Sequence, residues 1–318
     1  MRRPSREEQG NRLRTQISTM LNAFVTDSPE GTSTENILVL ETIGRPDNFH
    51  RAVAAIPDLK WLAEIDLEDI EADSQFFERP KLGAFFFKGL VPEIGTKESR
   101  EIVAAFSKSG VIDEKNILRD GVSVDDIRAV VPHAFRDQTD KIVGAIDKKK
   151  HTPLPGRMYL SLSNRQALQQ IKVLFDEWER DGRLEYGAGA WSEIFSQLRS
   201  VRFWSIKDRV SDTGILDYWR EEVEVKRGTA SLVAFEIEFS YEENRASRHR
   251  RQRHVEELVA QEGGRVIAAC DLNEIRFHAI KVELPVDNIE RVLGEDYSAL
   301  FKDGGILFFR PSPQCTVE

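Results

Sequence analysis

Apolar positions Leu13, Ile17, Met20, Leu21 and Phe24 recur every three or four residues between positions 6 and 25. That spacing predicts an amphipathic helix, which Ser28-Pro29-Glu30-Gly31 interrupts. The run NILVLET (36–42) predicts a buried strand. Pro46 suits the first turn of a helix over Asp47 to Ile56, Pro57 stops it, and a second strand follows over Trp61 to Ile65. Residues 36 to 66 therefore read as a β-α-β unit with short connections, giving the N-terminal part a mixed α/β character.

The texture changes over residues 71 to 155. Helical segments are expected around Lys97 to Ser107, Ser123 to Val131 and Asp137 to Ile146. Lys148-Lys149-Lys150 and Pro153-Leu154-Pro155-Gly156 then read as a linker closing a helical insertion. Beyond it, Arg157 to Ser163 predicts a strand, and Ser163 or Asn164 caps a long helix carrying Leu168, Ile171, Leu174, Phe175 and Trp178. Trp191, Ile194, Phe195 and Leu198 mark another helix, and Val201 to Trp204 an extended segment before the polar stretch Ser205 to Thr213. A boundary at Lys226-Arg227-Gly228 divides the chain into domains 1–227 and 228–318.

The second domain has the clearest pattern. Phe235, Ile237, Phe239 and Tyr241 alternate with Glu236, Glu238 and Ser240, which gives a strand one apolar and one wet face. A helix over Asn244 to Glu262 stops at Gly263-Gly264. Strands over Val266 to Ile275 and His278 to Leu284 follow, then a helix over Val286 to Phe301 and a last strand at Ile306 to Phe309. This order, β-α-β-β-α-β, predicts an α+β protein whose C-terminal domain is ferredoxin-like, behind a mixed α/β domain with a helical insertion at about 71–155.

Composition narrows the function classes. At 318 residues the chain is long enough for two cores, and 40% hydrophobic residues suffice to fold them. A net charge of -9 disfavours nucleic acid as a partner. No apolar run approaches the ~20 residues needed to span a bilayer, and the basic start Met1-Arg2-Arg3 continues into polar residues, so a cytoplasmic protein is expected. Two cysteines, Cys270 and Cys315, fit free thiols in a reducing compartment and are too few for a cysteine-based metal site.

Candidate chemistry is sparse. Asp212-Thr213-Gly214 carries the triplet of a catalytic aspartate, but its approach, Lys207-Asp208-Arg209-Val210-Ser211, is polar where such enzymes use an apolar strand, so a capped turn is expected. Gly31-Thr32-Ser33 lacks the helix start that positions a nucleophilic serine, and no His-Gly-x-His segment supplies a base. The spacing of His249 and His254 lies within an arginine-rich helix that disfavours a metal, and no phosphate loop or dinucleotide fingerprint occurs. No catalytic residue, metal or cofactor is therefore expected. Two possible interaction patches stand out: Phe85, Phe86 and Phe87, unless they form a buried strand, and the cluster around Arg248, Arg250 and Arg251, unless their stems simply cover the sheet.

The segments ACDLNEIRFHAIKVELP (269–285) and ILFFRP (306–311) resemble the region before the catalytic domain in bacterial subtilisin-like serine peptidases. The likeness extends to LVLETIG (38–44), IPDLKWLAEID (56–66) and GRMYLSLSNRQAL (156–168). The resemblance implies a noncatalytic regulatory region with a prodomain-like second domain, acting as chaperone or inhibitor of a subtilisin-like catalytic domain that would begin shortly after residue 318. It also implies association with an AAA-type ATPase and, for some members, defence against phage or plasmids. In that pattern Ser312, Pro313, Gln314, Cys315, Thr316, Val317 and Glu318 form the tail that enters the protease cleft as an added strand, with processing near Val317-Glu318. The alternative expectation is an independent module that binds an ATPase or other protein.

Overall fold

The computed structural model describes residues 2–26, 35–90, 94–184, 187–211, 213–228 and 231–312. Its elements begin with α1 (Arg6–Thr26), β1 (Asn36–Ile43), α2 (Phe49–Ala54) and β2 (Lys60–Ile70). A helical block follows: α3 (Ala84–Leu90), α4 (Thr96–Lys108), α5 (Val124–Val130) and α6 (Thr139–Lys150), with a 3-10 segment at His133–Gln138. The chain returns through β3 (Leu154–Ser163), α7 (Arg165–Asp181), α8 (Gly189–Gln197), β4 (Leu198–Phe203), α9 (Ile206–Val210) and α10 (Ile215–Lys226). It closes with β5 (Leu232–Phe239), α11 (Arg245–Gln261), β6 (Arg265–Leu272), a 3-10 turn at Asn273–Ile275, β7 (Phe277–Pro285), α12 (Val286–Leu293), α13 (Ala299–Lys302) and β8 (Ile306–Pro311).

This is a mixed α+β protein with two four-stranded antiparallel sheets among the described residues. Their spatial orders are β2-β3-β1-β4 and β6-β7-β5-β8. Numbered within its own unit, each sheet therefore runs 2-3-1-4. Each has a helix after its first strand and helices after its third, so the helical block is an insertion between the second and third strands of the first unit.

The insertion has its own core of Leu82, Phe87, Ile102, Phe106, Ile127, Ile142 and Ile146. The sequence pattern locates its main helices, but Lys148-Lys149-Lys150 form the last turn of α6, where cations suit the negative helix end, and Pro155 and Gly156 already lie in β3. Gly156 is required there: a Cβ would come 2.2 Å from the Thr42 carbonyl oxygen and 2.3 Å from Ile70 Cδ1.

Helices α1, α2, α7 and α8 cover one face of the first sheet, burying Leu13, Ile17, Phe49, Ile171, Phe175, Trp178, Trp191 and Phe195 against Leu38, Leu40, Tyr159 and Val201. Asn164 caps α7 by accepting from the Ala167 N–H at 2.9 Å, as the sequence suggests. The Phe24 side chain lies outside the described residues. In the second unit, α10, α11, α12 and α13 bury Trp219, Val255, Val259, Ile289 and Phe301 on Phe235, Ile237, Ile280, Val282 and Phe309. The expected single helix over Val286 to Phe301 is two, broken by Gly294 and by Glu295 at φ +64°. Helix α10 falls before the expected boundary at 227/228, yet Ile215, Trp219 and Val223 pack in the second core, so the packing boundary lies ahead of it.

The sheet faces that the helices leave open meet each other. Ile37, Val39, Leu160, Leu162 and Trp204 of the first unit pack with Leu307 and Phe308 of β8. The Trp204 indole donates to the Leu307 carbonyl at 2.7 Å and its ring meets Phe308 edge-on.

Candidate protein-interaction site

The predicted tail begins at Ser312, which is buried and whose hydroxyl finds no partner among the described residues. Pro313 to Glu318, Asp212 and Gly31-Thr32-Ser33 lie outside the described residues. The neighbouring Thr213 hydroxyl accepts from the Ile215 N–H and donates to the Val210 carbonyl.

The three phenylalanines do not form a strand. They occupy α3, where successive residues point in different directions, so Phe87 is fully buried against Phe106, Phe86 is half-buried, and Phe85 is 90% exposed. A period-2 reading of a short apolar run fails here because packing against α4 and α6 selects the helical period.

The arginine cluster separates by helix face. Arg248 is 2% exposed; its guanidinium bonds Asp271 at 3.0 and 3.1 Å, the Glu242 carbonyl at 2.6 Å and Asn273 at 2.7 Å, and lies over the Tyr241 ring. Arg251 turns toward the first unit, reaching Glu242 at 2.7 Å and Glu35 at 3.2 Å, while Lys60 of β2 reaches Glu35 at 2.9 Å. Burial and the adjacent Glu35 hold the Glu242 carboxyl above its ordinary pKa, against the opposing pull of Arg251 and Lys60. Arg250 remains at the surface, bonded to Ser247. Two of the three predicted patch residues thus hold the fold together, because a guanidinium withdrawn from water needs its acceptors within the protein.

Beside Arg248, His278 is buried against Phe239 with its Nε2 3.0 Å from Gln252 Oε1. Desolvation pushes its pKa down to about 4. The imidazole is neutral and enclosed, and its one hydrogen bond among the described residues is to Gln252 rather than to a hydroxyl or thiol. Among the described residues no group of three or more His, Cys, Asp or Glu is placed to hold a metal ion, and no helix is long and apolar enough to cross a membrane.

The sheet edges carry a feature that local sequence patterns do not announce. Gln16 of α1 accepts from the Val201 N–H at 2.8 Å and Gln9 donates to the Leu198 carbonyl at 2.9 Å, so α1 covers the free edge of β4. Trp204 and α9 cover β8. β2 is guarded by Glu64, Asp66, Glu68 and Asp69, with Arg157 and Arg45 paired to them. Among the described residues β6 has neither cover nor charge between Arg265 and Asp271, and Ala268, Ala269 and Cys270 are exposed. The one signal for it in the sequence is VIAAC (266–270), an uncharged run in a strand whose neighbours alternate.

Comparison with known protein families, with characterised proteins and with solved structures finds no match to this chain.

Proposed function

We propose that the chain is the noncatalytic regulatory region of a subtilisin-like serine protease, cytoplasmic, with a ferredoxin-like second unit that acts as chaperone or inhibitor of the catalytic domain. The observation that carries this reading is the second unit's β-α-β-β-α-β order with strand order 2-3-1-4, which puts β8 at a sheet edge and leads the chain from it at Ser312 toward the predicted tail. The sequence resemblance at 269–285 and 306–311 falls on β6, β7 and β8 of that unit. A fold of this kind hosts many functions, so the assignment rests on resemblance and topology together.

Peptide hydrolysis by the separately produced subtilisin-like catalytic domain encoded with this chain tests it. Added in trans, the chain should inhibit hydrolysis, and removal of residues 312–318 should relieve the inhibition. Absence of binding, or inhibition indifferent to the tail, overturns the reading.

A second reading, an independent module that binds an AAA-type ATPase or another protein, is favoured by one observation: Phe85 stands 90% exposed on the insertion, beside half-buried Phe86. Under that reading Phe85→Ser abolishes partner capture without affecting hydrolysis.

A further inference from the structure

Of the four outer strands, β4 and β8 are capped by other elements and β2 by charge, leaving β6 as the strand whose backbone edge is open among the described residues. Open edges template pairing with another strand, and proteins ordinarily blunt them. Three large apolar side chains stand exposed along this edge and its following turn: Ile267 at 47%, Leu272 at 42% and Ile275 at 69%. The strand is also held firmly. Arg248 fixes Asp271, and Arg265 pairs with Glu283 on β7 at 2.6 Å.

The charge beside this edge points to one class of occupant. Helix α11 carries five arginines against two glutamates in a protein of net charge -9. Arg251 and His254 lie on its flank toward Glu35 and Asp303, whereas Arg248 turns down onto Asp271 of β6. Helical spacing puts Arg245, His249 and Arg253 on the opposite flank, over the β6 side, and all three are exposed; the one carboxylate of the helix on that flank, Glu256, is half-buried and accepts from Gln252. Past the register shift between Val266 and Ala268, the face of β6 turned away from α11 presents Ala268, Cys270 and Leu272, because Ala269 pairs with core-facing Ile280 and Asp271 reaches Arg248.

We propose that β6 docks an extended segment of a partner protein by strand addition, and that this segment alternates acidic with apolar residues. Its acidic side chains meet Arg245, His249 and Arg253 of α11, and its apolar ones lie beside Ala268, Cys270 and Leu272. The site is separate from the proposed tail-dependent inhibition, since β6 and β8 are opposite edges of the sheet.

The test is fluorescence anisotropy of labelled peptides matched to the eight residues of β6, one alternating glutamate with valine and one alternating lysine with valine, titrated with the full chain. Only the glutamate peptide should bind, and the double variant Arg245→Glu, Arg253→Glu should weaken it by about tenfold or more. Ala269→Pro and Cys270→Pro, made separately, read the backbone. Adjacent N–H groups point to opposite sides of the strand, so one proline keeps the β7 pairing, retains the wild-type circular dichroism and loses binding. Binding of both peptides alike, no binding up to about 1 mM, or binding unchanged in the double variant and in a folded proline variant overturns the proposal. A concentration-dependent rise in mass without peptide also overturns it, by assigning the edge to a second copy of the chain.

Discussion

The two sheets carry their strands in the same spatial order, and they differ in what protects them. The first unit lies under α1, α2, α7 and α8 on one face and against the second unit on the other, with its exposed edge strand β2 studded with carboxylates. The second unit supports its equivalent strand β6 from beneath with a buried arginine and leaves the outer edge bare. One topology thus serves a charge-guarded scaffold in one half and an accessible strand in the other. Strand order alone therefore predicts little about where a partner binds.

The largest effect expected from probing this contrast is at Trp219. It packs edge-on against Phe235 and Phe301, so Trp219→Ala should cost about 3–5 kcal/mol. Urea unfolding should show the loss in a transition of the second unit. A uniform shift of a single transition would instead mean that the Trp204–Leu307 contact couples the two cores.

Arg248→Ala should cost about 3 kcal/mol or more, because it leaves the Asp271 carboxylate without its buried partner. In the first unit Arg157→Ala removes pairs with Glu64 and Asp66 whose carboxylates are solvent-accessible, and should cost under about 1 kcal/mol. Equal losses in the two variants, measured by the same unfolding experiment, would refute the view that β6, unlike β2, depends on a buried arginine.

Acid should separate the units further. His278 keeps a neutral ring in the fold until about pH 4, below its ordinary value of 6.5. Between those values the unfolded chain takes up a proton that the fold excludes, so stability is intact above about pH 6.5 and falls toward pH 4. The loss is at most about 3.5 kcal/mol at roughly 1.4 kcal/mol per pKa unit. Asp303, held low by His254 and the Gly305 N–H despite burial, loses stability in the same direction, while the raised Glu242 carboxyl opposes it. Thermal melts of wild type and His278→Gln between pH 7 and 4.5 should differ in slope, with the variant flatter; parallel slopes would remove His278 as the cause.

The smallest effect is at the surface. Phe85→Ser should change stability by less than about 0.5 kcal/mol, since a 90% exposed side chain contributes little to the core. A larger loss in thermal denaturation would mean that Phe85 is covered in solution.

Much of the second unit is legible in the amino-acid pattern alone. Alternation over Phe235 to Tyr241 and the glycine stop at Gly263-Gly264 locate β5 to within three residues and α11 to within one, because both signals are local. Helix α10 carries the helical signal too, Ile215, Trp219 and Val223 recurring every four residues among charged ones; what only its packing on β5 and β8 reveals is that it belongs to the second unit, ahead of the expected boundary at 227/228. The shared strand order of the two units is hidden by the insertion, which separates β2 from β3 by more than eighty residues. Of the candidate site residues, the sequence marks the arginines of α11 as a group, but not which of them are structural.

The sequence by itself determined the periodicities, caps and breakers that make these helices and strands, since each depends on side chains within a few positions along the chain. Only the tertiary structure decided that Arg248 is buried, that Arg251 bridges to Glu35 of the first unit while Arg250 stays at the surface, and that Trp204 seals β8. It also decided that β6, of the outer strands among the described residues, stays open. Those outcomes depend on which distant element comes to lie over a given edge or charge, and the cost of desolvating a charge or leaving a strand unpaired is fixed by that long-range partner.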